Sequence, residues 1–103
     1  MTKQYHKLVR DRIPDMIRQN GEKSVVRVLE DEEYQRCLEQ KLDEEVGEFH
    51  QDRNLEELAD ILEVVYALAE CLGASTEELL EIYQTKHQQR GGFKERFFLI
   101  SKE

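Results

Sequence analysis

With 103 residues the chain has room for one small domain, since typical domains run to about 100–200 residues. Leu, Ile, Val and Phe number 28, enough for a folded core, but 37% of the chain is charged and one copy can bury only a modest share of its surface, which favours self-association. A net charge of −8 argues against a DNA or RNA backbone as partner, and the sequence holds neither an apolar run long enough for a membrane span nor, in MTKQYHKLVRDR, the apolar stretch of a signal peptide, so the cytoplasm is the expected compartment.

The charge is unevenly spread. Residues 1–29 carry seven bases against three acids, 30–60 three against thirteen, 61–85 none against five, and 86–103 five against two. In chain order, an extended KLVRDR arm leads into a short helix from Pro14, which suits a first turn, to Asn20, where Asn20-Gly21 suits an end. SVVRVLE over 24–30 is β-branched and reads as a short strand, with FFLIS near the C-terminus as its pairing partner. Asp31 is the expected cap of a long helix through about Asp52, with Glu32 and Glu33 near its positive end. Asn54 caps the next helix, which runs to about Leu72 before Gly73. Ser75 and Glu78 form a capping box for a third, ended by Gly91-Gly92 near Arg90.

Cys37 and Cys71 lie far apart inside helical segments, without the paired spacing of a zinc site or disulfide framework, and read as buried reduced thiols. The turn between Phe49 and Asn54 is too short for anything but antiparallel neighbours. The expected fold is all-α: a compact helical bundle of three long helices plus a short N-terminal helix, with residues 1–103 as one domain.

Helical periodicity then exposes an anomaly. On the first long helix Tyr34, Leu38, Leu42, Val46 and Phe49 form one apolar stripe at about 100° per residue, and Glu45 falls inside it. Lys41 and Glu48 sit on its edge, a turn either side. On the next helix apolar residues cover most of the circumference, and only Glu56, Glu63 and Glu70 keep a polar face, so Glu57 and Asp60 lie within or beside the apolar arc. Glu45, Glu48, Glu57 and Asp60 are thus aimed at one interior, where unpaired carboxylates are costly. Either a cation binds there, Mg²⁺ or Mn²⁺ in preference to zinc because no His or Cys is near, or the acids pair with Lys41, Arg53 or a partner's bases.

On the third long helix Leu79, Ile82 and Tyr83 define the expected inward face, which Lys86 and Arg90 continue toward the C-terminus. Bases there complement the helix dipole; beside an acid-bound metal they also suit a phosphate ligand.

Lys41-Leu-Asp-Glu-Glu-Val-Gly-Glu48, followed by Glu57-Leu-Ala-Asp60, resembles the E-x-x-E and E-x-x-D halves of the MazG-like nucleotide pyrophosphohydrolases, all-α enzymes that include the phosphoribosyl-ATP diphosphatases. KLVRDRIPDMI and KHQQRGGF resemble the flanks of a compact single-domain subgroup, so the likeness covers nearly the whole chain. It implies hydrolysis of the α–β phosphoanhydride of a nucleoside triphosphate or related nucleotide, with release of pyrophosphate. By motif position Glu45, Glu48, Glu57 and Asp60 would bind Mg²⁺, with Glu45 also counted in the catalytic set. Glu44 is the candidate base or supporting acid, and Lys41, Lys86 and Arg90 are the substrate-binding cations, from this chain or a neighbour. Arg10 and Arg12 are weaker candidates of the same kind. The chain departs from many relatives in the short spacing between Glu48 and Glu57 and in lacking Trp, so only a Tyr or Phe, such as Tyr34 or Tyr66, is left to stack on a base, and both of these also suit a core. His6, His50 and His87 form no recognisable spacing. A dimer or tetramer is expected. A role in histidine biosynthesis on phosphoribosyl-ATP, or a non-catalytic module binding nucleotide or protein, are the alternatives.

Overall fold

The structure, a computed structural model, describes residues 3–103. It is an all-α bundle of four helices: α1 (Ile13–Gln19), α2 (Asp31–Asp52), α3 (Leu55–Cys71) and α4 (Thr76–Arg90). Most boundaries follow local chemistry. Pro14 occupies the first turn of α1. Asn54 accepts a hydrogen bond from the Glu57 N–H at 3.0 Å to start α3, and Ser75 and Glu78 close a reciprocal capping box on α4. Gly73 takes φ +84°, the left-handed region where Gly has no steric penalty, and the Ala74 N–H then reaches back to the Ala69 carbonyl at 3.0 Å.

Two expectations on local structure are corrected. Asp31 does not cap α2; Glu30 holds the extended cap position and Asp31 is the first helical residue, so Asp31, Glu32 and Glu33 together offset the helix dipole. The pairing of 24–30 with the C-terminal tail does not form, and no strand exists among the described residues. Both segments are irregular, and Val25, Val28 and Phe97–Ile100 lie exposed with no ladder partner among the described residues.

The core sits between α2 and α3, which pack as an antiparallel hairpin through a connection of Arg53 and Asn54. Leu38 and Val64 are its most deeply buried apolar residues, at 4% and 6% exposure, with Ala69 at 7%. Cys37 and Cys71 are free thiols, half-buried instead of sealed in the core. α4 packs on α3 alone. Within α4 only Thr76 and Leu79 are half-buried, and every other residue through Arg90 is exposed. The face carrying Ile82 and Tyr83 is therefore not inward within one chain, because the second half of α4 has no neighbouring helix. No helix among the described residues is long and apolar enough to cross a membrane.

Candidate metal centre

The short α2–α3 connection sets the end of one helix beside the start of the next, and the apolar stripes orient both. Glu45 is drawn inward with Leu38 and Leu42 and is the one buried charged residue among those described, at 7% exposure. Glu57, in the first turn of α3, and Asp60, one turn on, meet it from the facing helix. One carboxylate oxygen from each of Glu45, Glu57 and Asp60 lies within 4.8 Å of the others. Such spacing lets a single small cation touch all three, and oxygen donors alone suit a hard ion.

Glu48, exposed on the next turn of α2, flanks the three, and its charge acts on both Glu45 and Glu57. Burial raises the Glu45 carboxyl above the usual glutamate range, the nearby Glu48 and Asp60 charges push the same way, and Lys41 opposes them. Glu57 is likewise raised, first by desolvation and then by Glu48, Asp52 and Asp60.

Two cations reach the cluster from its own chain. Lys41 Nζ lies 3.7 Å from Glu45 Oε1 and 4.0 Å from Glu44 Oε2. Arg10 Nη2, on the N-terminal arm, donates to Asp60 Oδ1 at 2.7 Å. Neither satisfies the inner oxygens: Glu45 Oε2 and Glu57 Oε2 are buried without a hydrogen-bond partner. Buried carboxylate oxygens that face other acids and lack a partner suit a role in holding a cation.

Of the residues singled out in the sequence, the structure therefore brings together Glu45, Glu48, Glu57, Asp60 and Lys41. Glu44 lies just outside, largely exposed, tethered by Lys41. Lys86 and Arg90 are not part of this grouping: both are exposed on the unpacked half of α4 and make no ion pair among the described residues. Their shared face is real, but it faces solvent. Arg12 sits at the cap of α1 and forms no ion pair there. Arg53, weighed as a partner for the acids, turns back to the His50 carbonyl at 3.3 Å. Tyr34 and Tyr66 are half-buried. Arg10 is the residue that sequence reading underweighted. The signal available was the basic KLVRDR arm set against an acidic middle.

No family model matches the chain, and no solved structure matches it. Over 41 residues, 40% of this chain, it is 58% identical to an uncharacterised protein of Mycolicibacterium smegmatis, and the match spans 42% of that protein's length.

Proposed function

We propose that the protein is a Mg²⁺-dependent nucleotide pyrophosphohydrolase. The observation that carries this reading is the pair of buried, unpartnered oxygens, Glu45 Oε2 and Glu57 Oε2, in a cluster that Asp60 completes. Ion pairing alone accounts for Arg10 with Asp60 and Lys41 with Glu45, but it leaves those two oxygens uncompensated.

Glu45, Glu57 and Asp60 would hold the ion, with Glu48 as a fourth acid at the exposed rim. When bound, Mg²⁺ supplies charge for the phosphates and a lowered pKa for the attacking water. The chain's own residues do the rest. Lys41 sits between Glu45 and Glu44, toward Glu44 Oε2, and the other oxygen of the largely exposed Glu44 would accept a proton from water entering at the rim. Arg10 keeps a guanidinium beside Asp60, and its fork geometry suits a phosphate oxygen as well as a carboxylate. Hydrolysis at the α–β anhydride yields a nucleoside monophosphate and pyrophosphate.

The test is pyrophosphate release from a panel of canonical and modified nucleoside triphosphates, with phosphoribosyl-ATP included, in Mg²⁺ and in EDTA. Metal-dependent turnover that Glu45→Gln abolishes supports the reading. Absence of turnover across the panel, with no Mg²⁺ binding by calorimetry, rejects it.

A further inference from the structure

Little joins the N-terminal arm to the long helices. Residues 3–10 form neither helix nor strand, and within 3–12 every residue except the half-buried Leu8 is exposed. Among the described residues no other helix packs against α1, and Arg10 with Asp60 is the one side-chain hydrogen bond or ion pair that links residues 3–24 to α2 or α3. A pair as exposed as this one shifts an equilibrium by about fivefold at most, so it can both hold the arm and release it.

The point of attachment is the acid cluster. Residues 3–12 set Lys3, Lys7, Arg10 and Arg12 against Asp11 alone. Lys3 Nζ and Lys7 Nζ lie 5.3 and 5.8 Å from the centre of the Tyr5 ring, which gathers two ammonium groups on one aromatic side chain and gives the arm a cationic head. Arg10 meets only the Asp60 edge of the cluster. Its guanidinium stays about half exposed, and the inner oxygens, Glu45 Oε2 and Glu57 Oε2, keep no hydrogen-bond partner, although Glu45 is only 7% exposed and cannot turn to water. Arg10 is therefore a partial counter-ion at a place where a smaller cation fits deeper.

We propose that residues 3–12 form a metal-gated strap. Arg10 parks the arm on Asp60 while the cluster holds no ion; it gives up Asp60 once a divalent cation sits among Glu45, Glu57 and Asp60, and then closes, with the Lys3, Tyr5 and Lys7 head, over a phosphate chain held on that cation. Charge sets both steps: the acids attract the basic arm, a divalent ion in their midst cancels part of that attraction, and a bound polyphosphate restores it. The arm thus shields the acids in the empty site and closes only on metal and phosphate together. The gate and the closure rest on the metal and phosphate reading of the site; the parking of Arg10 on Asp60 does not.

Trypsin reads the strap directly, because cleavage after Arg10 requires that side chain to leave Asp60 and cleavage after Lys7 requires the arm to detach. The full chain is digested in EDTA, in Mg²⁺, and in Mg²⁺ with imidodiphosphate, a non-hydrolysable phosphoanhydride mimic that carries no base. Peptides are quantified by mass spectrometry against cleavage after the exposed Lys94. Cleavage after Lys7 and Arg10 should rise up to about fivefold in Mg²⁺ and return to the EDTA rate or below with imidodiphosphate, while cleavage after Lys94 stays constant. Arg10→Gln protein in EDTA should be cut after Lys7 as fast as wild type is in Mg²⁺. Calorimetric titration with Mg²⁺ separates the ways this can fail. No Mg²⁺ binding overturns the metal reading and the gate with it. Mg²⁺ binding without a change in cleavage after Lys7 and Arg10 overturns the strap and leaves the metal site standing. Faster cleavage in Mg²⁺ that imidodiphosphate does not reverse overturns the closure, and an Arg10→Gln arm cut no faster than wild type in EDTA overturns the parking.

Discussion

Arg10 Nη2 lies 2.7 Å from Asp60 Oδ1, a contact between residues fifty positions apart that ties the N-terminal arm to the acid cluster on α3. Both side chains are about half exposed, so as a stabilising pair it is worth under about 1 kcal/mol. Its consequence is competition. In the proposed site a guanidinium held on Asp60 would compete with a metal for that carboxylate, and once displaced it would be free for phosphate. Arg10→Ala should therefore tighten Mg²⁺ binding by calorimetry while raising KM for nucleotide severalfold, with little change in Tm. Weaker Mg²⁺ binding in the variant would contradict the competition.

The acids set up a contrast between stability and activity. Glu57→Gln and Glu45→Gln remove charge from a cluster whose members repel, so the metal-free variants should be as stable as wild type or more so, and hydrolysis should be lost. Mg²⁺ at a hundred times its dissociation constant should stabilise wild type by roughly 2.7 kcal/mol and the variants by less. Thermal melts in EDTA and in Mg²⁺ measure both effects; a loss of stability that ignores Mg²⁺ would mean the acids serve as ion-pair partners.

pH acts on the same groups with a definite sign. Glu45 and Glu57 have folded pKa values above the ordinary 4.5, so between 4.5 and those raised values the folded state binds more protons than the unfolded one. Metal-free stability should then rise as pH falls through that window, and the advantage should vanish as pH climbs past the folded values. Glu33, lowered by its hydrogen bond to Arg27, acts oppositely, and its loss falls below 4.5, outside the window. Urea melts from pH 7 to pH 5 should show the slope in EDTA, less of it in Glu45→Gln/Glu57→Gln, and none in saturating Mg²⁺.

Lys86→Ala and Arg90→Ala remove exposed side chains that contribute nothing to the core, so Tm should hold within the change of about 0.5 kcal/mol typical of surface substitutions. If they act as the phosphate cations that the MazG-like resemblance implies, nucleotide KM should nevertheless rise. Unchanged kcat and KM in both variants would remove them from the site.

Ser75→Ala tests the scaffold. It deletes the oxygen that accepts the Glu78 N–H at 3.1 Å and dismantles the capping box, at a cost of about 1 kcal/mol by urea melt. If α4 positions the bases, the same change should raise nucleotide KM without altering Mg²⁺ affinity.

The helices and the faces they bury were legible because both are local. Asn54 and the Ser75 and Glu78 pair act on N–H groups three residues away, Gly73 supplies a single positive φ, and the 3.6-residue period places Glu45 among Leu38 and Leu42 whatever else the chain does. That Glu57 and Asp60 would meet Glu45 followed from the brevity of the Arg53-Asn54 turn. What periodicity does not encode is which distant group arrives at a face. Arg10 reaches Asp60 across fifty positions, while Lys86 and Arg90, on a face of their own helix that looked inward, found no helix opposite them. For the same reason the segments over 24–30 and 97–101, each suited to a strand by composition, stayed unpaired. A strand needs a neighbour to hydrogen-bond, and only the tertiary arrangement decides whether one is there.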